Sequence, residues 1–425
     1  MRNNKLFIYL TILIISLFFN ACSSSISNIT IKDKKLSDLN YRANDNFMNQ
    51  KKEASKFLDK YFRPWNQEEM ISSMDDATWG FKYRLKDIYL ENHNKASQSW
   101  FSKQIDNSNF KNYNQVLKKA ISIRNTNVRV FPTKSVMFLD PNKQGEGFPF
   151  DYNQNSLLKI NSPILISHFS KDRAWVYMQA SSFAGWVSIN DIAFVNDDFI
   201  KEFQTNSYEI AIKEKFALYD KIFREFIKVG TLFPKKDGKY LIARADYNQN
   251  ALISEVSIKK ENISKFPIEF NAENRIKIAK TLMNEPYGWG GLMNNRDCSS
   301  FTRDFFAPFG KYLKRNSKAQ TDNGKVYDIS KLSNKEKKEY IKQNAIPFST
   351  LIYLKGHIML YVGVKDNEAL VMHNIWSIRL KNSVGEEYRH IIGKTSITTL
   401  EPARNEKDFN SEKSLLSKIQ AIVVL

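Results

Sequence analysis

Apolar residues recur along this chain in three successive rhythms. Behind Arg2 and Lys5, the stretch Phe7 to Ala21 is almost unbroken in its apolar character. About fifteen residues is short for a bilayer span, so residues 1–22 read as an export signal. Residues 23–45 are polar and aperiodic, the pattern of a flexible tether. Residues 46–118 show an irregular helical spacing, with Lys51 to Phe62 amphipathic and stopped at Pro64-Trp65. The density of large rings there (Tyr61, Phe62, Trp65, Trp79, Phe81, Tyr83, Trp100, Phe101) predicts a helical clip that clamps onto other domains rather than a free bundle.

From 119 to 196 the rhythm shortens to a period of two. Val128 to Phe131, Leu157 to Ile160, Pro163 to Ile166, Trp175 to Met178 and Gly185 to Val187 alternate, separated by turn clusters at Asp140-Pro-Asn-Lys and Gly145-Glu-Gly147. Such spacing predicts a small antiparallel barrel. A second barrel is expected over 197–267, similar in size and texture but not in residues, and closed by Pro267.

The third rhythm fills 268–425. Ile276, Ala279 and Met283 mark an amphipathic helix halted before Pro286. A Gly-rich turn and a short helix starting at Cys298 follow, then strands at Leu351 to Leu354, Ile358 to Val364 and Ala369 to Met372. Helices first and antiparallel sheet afterwards make an α+β domain. The fold class is therefore multidomain: a helical clip, two small all-β barrels and a C-terminal α+β domain.

Charge and cysteine usage narrow what the chain can do. The formal net charge is +19, two units of which reside on Arg2 and Lys5. That balance favours acidic partners such as lipid headgroups or wall polymers. The basic residues are scattered, with no basic stripe and no nucleic-acid motif, so no nucleic-acid partner is expected. Two cysteines occur, Cys22 and Cys298. Cys22 closes the apolar leader and resembles the acylated cysteine of a bacterial lipoprotein signal, although Phe19 and Asn20 depart from the usual pattern of that signal. With Cys22 lipidated, the mature chain would keep one lone thiol in an oxidising compartment, where a working group is expected rather than a staple. Ser23 points to the outer membrane, by resemblance to lipoprotein sorting signals.

Cys298 follows Asp297, a good N-cap, and so is expected at the first helical position. Unpaired backbone N–H groups there would lower the thiol pKa and favour the nucleophilic thiolate. The strand opening at His357 and the strand ending at His373 are joined by a turn at Lys365-Asp-Asn-Glu368, which brings the two imidazoles near one another across a hairpin. Nucleophile, base and orienter are then all present. On the residues alone the plain alternatives stand beside this: a small buried cysteine, a structural cap, two core histidines, and a Gly-rich turn that serves tight packing as well as it serves a site. His93, His168 and His390 read as structural.

Pro286-Tyr-Gly-Trp-Gly-Gly291, Asp297-Cys-Ser-Ser300, Gly356-His-Ile and His373 together resemble the NlpC-type cell-wall cysteine peptidases, which have a papain-like fold. The Phe57 to Trp65 segment and the two barrels resemble that family's lipoprotein branch, with an N-terminal clip and two SH3-like (SH3b) domains. Asn127 to Thr133, Phe150 to Gln154 and Gly185-Trp-Val187 carry the likeness in the first barrel, and the second is the poorer match. The resemblance implies Cys298 as nucleophile, His357 as base and His373 as its orienter, with Tyr287 at the oxyanion. Asp297 and Ser299 would flank the substrate peptide, Asp297 receiving a free α-amine, and Trp289 would line the cleft. Asp151 and Tyr152 would reach the cleft from the first barrel. Ser300 stands where relatives usually have Gly.

The implied reaction is hydrolysis of the γ-D-glutamyl–diaminopimelate bond of peptidoglycan stem peptides through an acyl-enzyme, by a monomer, with no metal and no cofactor. Two other readings remain open: an envelope scaffold lipoprotein with a vestigial site, and an amidase using the same Cys-His parts.

Overall fold

The computed structural model describes residues 34–36 and 49–425. Cys22, the leader and most of the tether lie outside the described residues. Among the described residues no helix is long and apolar enough to cross a membrane.

The clip begins with α1 (Gln50–Phe62), whose Asn49 side chain accepts from the Lys52 N–H as N-cap. Its buried face carries Ala54, Phe57 and Phe62, each ring stabilising by roughly 1.5–3 kcal/mol if fully buried. Pro64 sits in a short 3-10 turn, Arg63–Trp65, that ends the helix. Trp65 is 2% exposed and donates its indole N–H to Ala120 O at 2.8 Å. The Gln50 amide donates to Ile268 O and accepts from the Phe270 N–H, at 2.8 and 3.0 Å. The clip thus holds the first barrel at one end and the C-terminal domain at the other. A further helix, α2 (Gln98–Asn107), is capped by Ser97.

The first barrel is a seven-stranded sheet ordered β3-β2-β6-β5-β4-β1-β7. Its strands are β1 (Lys118–Ser122), β2 (Thr126–Arg129), β3 (Gln154–Leu158), β4 (Pro163–Phe169), β5 (Trp175–Gln179), β6 (Ala184–Ser188) and β7 (Ile192–Phe194). A long connection between β2 and β3 covers residues 130–153. The second barrel has a five-stranded sheet, β13-β12-β11-β8-β14, and a separate hairpin β9-β10. These strands are β8 (Tyr208–Ala211), β9 (Phe216–Tyr219), β10 (Phe223–Ile227), β11 (Leu232–Lys236), β12 (Lys239–Ala245), β13 (Ala251–Val256) and β14 (Ile263–Lys265).

The C-terminal domain packs α3 (Ala272–Leu282) and α4 (Cys298–Phe306) near a six-stranded sheet ordered β15-β20-β16-β17-β18-β19. Its strands are β15 (Lys325–Asp328), β16 (Thr350–Leu354), β17 (His357–Lys365), β18 (Glu368–Lys381), β19 (Glu387–Thr399) and β20 (Ile419–Val424). Asp366 and Asn367 both take positive φ, 51° and 62°, the two-residue turn that joins β17 to β18 without splaying them. Strand β18 runs to Lys381, well beyond the end expected at His373, and β19 returns alongside it. Ile375, Ile378 and Leu380 stay buried along that extension, although polar residues between them dilute the alternation.

Both barrels grip α4. Asp304 on its inner face takes Lys159 of the first barrel at 2.6 Å and Arg296 at 2.7 Å. Arg296 also reaches Glu214 of the second barrel at 2.7 Å, and Glu214 holds Lys228 at 3.1 Å. Lys228 and Arg296 are 2% and 1% exposed as whole residues. Burial pushes the Lys228 ammonium down to about 8, despite Glu214. Removing one member of such a set strands a buried charge, at a cost of about 3–5 kcal/mol.

Candidate active site

The segment from Pro286 to Arg296 folds back on itself, with Gly288 N–H donating to Arg296 O at 2.8 Å. Gly290 and Gly291 take φ of 59° and 90°, and β3 of the first barrel lies directly against them. A Cβ on Gly290 would come within 2.5 Å of Gln154 O, so only glycine admits this approach. Gln154 returns a hydrogen bond from its amide to Gly290 O at 3.1 Å. Of the two uses considered for this turn, the structure displays close packing.

Asp297 then caps α4. Its carboxylate accepts from the Ser300 N–H at 2.7 Å, and the Ser300 hydroxyl accepts from the Asp297 N–H at 2.9 Å, a reciprocal capping box. Ser300, the departure from the family pattern, therefore has a local role. Arg315 grips Asp297 with two nitrogens, at 2.7 and 3.2 Å, and donates to the Ser299 hydroxyl at 2.8 Å. Burial opposes ionisation of Asp297, yet Arg315 and the Ser300 donors hold its carboxyl below the ordinary range.

Cys298 occupies the first position of α4. The expectation of a lowered thiol pKa is not met. Burial, reinforced by the Asp297 charge, pushes the thiol up to about 12, against the pull of the Ile358 and Ser299 N–H groups and Arg315. Desolvation of a residue only 7% exposed outweighs the helix terminus, so the resting group is a neutral thiol.

His357 opens β17 just after the tight turn Lys355-Gly356, and Gly356 takes φ 83°. His357 Nε2 lies 2.8 Å from His373 Nδ1, and His373 Nε2 lies 3.1 Å from Thr398 Oγ1 on β19. The Thr398 hydroxyl donates to Thr399 O at 2.8 Å. That single hydroxyl proton being directed away, Thr398 accepts from His373 Nε2–H. His373 Nδ1 then accepts from His357 Nε2–H, which leaves His357 Nδ1 unprotonated. Burial depresses His357 to about 4, against the opposing pull of Asp297, and burial together with His357 drives His373 well below the ordinary imidazole range. Both rings are neutral at pH 7.

Cys298 and His357 line one cleft of about 670 Å3 together with Tyr287, Trp289, Asp297, Ser299 and Tyr152. His373 stands behind His357 and is fully buried. Trp289 meets Phe150 at 5.3 Å and Tyr152 at 5.7 Å between ring centroids, so residues of the first barrel form one wall. Tyr287 packs on Trp376 at 5.9 Å, and burial, followed by the acidic neighbours Cys298 and Asp297, raises its phenol well above the ordinary value. Trp79 and Tyr83 of the clip line the same cleft.

Asp151 does not reach it. This residue is fully buried, pairs with Arg129 at 2.7 Å and accepts from the Met137 and Asn153 N–H groups. It is a strut of the first barrel, one residue away from the wall position that Tyr152 occupies. His168 is likewise internal, with Ser167 and Ser108 on its two nitrogens.

Sequence reasoning overlooked Arg315, Thr398, Phe150 and Trp376. Arg315 sits in an aperiodic loop, and Thr398 lies opposite Val371 on β19, a strand the sequence pattern did not predict. Trp376, three residues past His373, carried a signal: a large ring in the strand that bears the second imidazole. Among the described residues no group of three or more His, Cys, Asp or Glu side chains is placed to hold a metal ion.

Comparison with known families and structures gives consistent matches. Residues 284–389 match the NlpC/P60 family, residues 11–113 the NLPC_P60 stabilising domain (N term), and residues 137–188 an SH3 domain of the SH3b1 type. No curated protein matches the chain in sequence. In fold, the chain is similar to an NlpC/P60 endopeptidase from Photobacterium damselae subsp. piscicida. The TM-score is 0.82 over 93% of this chain and 97% of that one, at 24% identity. An NlpC/P60 family protein from Bacillus cereus gives a TM-score of 0.42 at 15% identity, over 64% of this chain and 81% of its own.

Proposed function

We propose, for a chain whose C-terminal domain belongs to the NlpC/P60 family, that the protein is a cysteine endopeptidase of the cell wall cutting the γ-D-glutamyl–diaminopimelate bond of stem peptides. The observation that carries this reading is the Thr398–His373–His357 hydrogen-bond chain, ending on an unprotonated nitrogen of a ring that shares the cleft with Cys298.

Since thiol and imidazole are both neutral at rest, His357 Nδ1 takes the Cys298 proton as sulfur attacks the γ-carbonyl carbon. His373 keeps the tautomer and steadies the imidazolium. The Cys298 N–H and the Tyr287 hydroxyl stabilise the oxyanion. His357 then protonates the departing amine of diaminopimelate, and water, deprotonated by the same ring, hydrolyses the thioester. Asp297, buttressed by Arg315 and Ser299, receives the free α-amine of an N-terminal L-alanine, with Trp289 and Tyr152 beside it. Walls from the clip and the first barrel favour small muropeptides with free N-termini over intact strands.

The envelope is the place of action, with lipid on Cys22 tethering the protein, by its Ser23 context, to the outer membrane. Mass spectrometry of purified muropeptides incubated with wild type and Cys298→Ala tests the reaction. Wild type alone is expected to separate L-Ala-D-Glu from peptides that begin with diaminopimelate. Release of whole stems from muramic acid would make the protein an amidase, and identical digests with both proteins would leave a scaffold.

A further inference from the structure

The cleft does not end at Trp376. Its wall continues through Ser377, Arg389 and Leu415, and these same three residues line a second cavity of about 190 Å3. That cavity is also lined by Lys355, Arg379, Lys413 and Lys418, with no acidic side chain among its lining residues. We propose that it is a carboxylate-binding subsite for the leaving half of the substrate, with Arg389 as its central ligand. The inference rests on the peptidase reading above and names which end of the peptide goes where.

The two arginines of the cleft are in contrasting states. Arg315 is held in a two-pronged grip by Asp297. Arg389 is only partly exposed and has one side-chain hydrogen bond, to the Ser377 hydroxyl at 3.2 Å, and among the described residues no carboxylate within ion-pair distance. The nearby acids are Glu146, on the first-barrel loop above it, and Glu387, neither in ion-pair contact with Arg389; Glu387 is shared between Lys413 at 3.1 Å and Arg379 at 3.8 Å. A guanidinium in that condition is short of an anion, and its fork matches a carboxylate.

The first barrel adds a roof. Gln144 Oε1 accepts from the Arg389 backbone N–H at 2.8 Å, and Gly145, at φ 82°, lies so near that a Cβ there would be 2.5 Å from Arg389 Nε. The turn cluster Gly145-Glu-Gly147 thereby acquires a purpose: it admits the guanidinium beneath a loop and shields one side from water. Burial and then the neighbouring Arg379 lower the Arg389 pKa against the pull of Glu146 and Glu387, and burial followed by Arg379, Lys413 and Arg389 lowers Lys418 against Glu387. Mutual repulsion of this kind is relieved by a bound anion. A stem peptide carries its amine at one end and the diaminopimelate carboxylates at the other, so an Asp297 end and an Arg389 end orient it across Cys298.

The test uses the full-length protein and two tripeptides, L-Ala–γ-D-Glu–diaminopimelate with free diaminopimelate carboxylates and its carboxamide analogue. Wild type is expected to cleave the free acid with kcat/KM about tenfold above the amide. Arg389→Gln should erase that preference, chiefly through KM, and Arg389→Lys should restore part of it. Should Arg389→Gln fold poorly, Lys418→Gln and Arg379→Gln on the rim are each expected to shrink the preference several-fold. Equal cleavage of both peptides by wild type overturns the subsite and leaves the peptidase standing. Cleavage of neither overturns the reading beneath it, and the subsite with it.

Discussion

Each barrel sends an ion pair to Asp304 or its partner Arg296, yet the two meet the segment leading into α4 in different chemical languages. The first offers rings and peptide groups to its front: Phe150 and Tyr152 against Trp289, and Gln154 against Gly290. The second offers ions to its back: Glu214 and Lys228 against Arg296. Among the described residues, none from 208–265 lines the cleft. Rings at a cleft wall contribute chiefly to what the cleft holds. A buried ion chain tolerates nothing missing, because the partner left behind stays charged. Substrate choice is therefore expected to live in the first barrel and rigidity in the second.

Three measurements bear on that division, from the largest effect down. Glu214→Ala should lower unfolding free energy by about 3–5 kcal/mol in urea denaturation, with KM of the surviving enzyme unchanged. A loss under about 1 kcal/mol would mean that water already screens the chain of charges. Phe150→Ala or Tyr152→Ala should instead raise KM about tenfold while moving the urea midpoint less than Glu214→Ala does. A midpoint shift as large with KM untouched would reverse the assignment.

The smallest effect is in acid. Burial holds His168 of the first barrel and His357 at about 4, below an ordinary 6.5, so between those values the unfolded chain binds more protons. Stability is then fully present above about 6.5 and falls as pH drops toward 4. The second barrel has no histidine. Hydrogen exchange at pH 5 against pH 7 should accordingly loosen the first barrel and the His357 hairpin before the second barrel.

What the sequence made legible was local. Asp297 ahead of Cys298 announced a capped helix because capping needs only four consecutive residues, and Asp366-Asn367 announced a hairpin because its turn demands two positive φ values. What escaped was tertiary. Arg315 pairs with Asp297 across 18 positions of chain, and no spacing rule foretells a guanidinium in a loop. The thiol was misjudged for the same reason: a helix terminus is visible in sequence, whereas the burial that overrules it comes from residues elsewhere, β17 among them. Asp151 shows how fine the margin is: in the turn before β3 its carboxylate folds inward onto Arg129, while Phe150 and Tyr152 on either side line the cleft.

The Gln50 side chain is satisfied by Ile268, Phe270 and Phe309, more than two hundred residues downstream. During synthesis, α1 emerges early, and although Phe62 meets Trp65 close by, Phe57 and Ala54 must wait for Phe266, Gly310 and Tyr312 before they find company. Closure over so long a loop makes assembly slow and exposes the waiting face to misassociation.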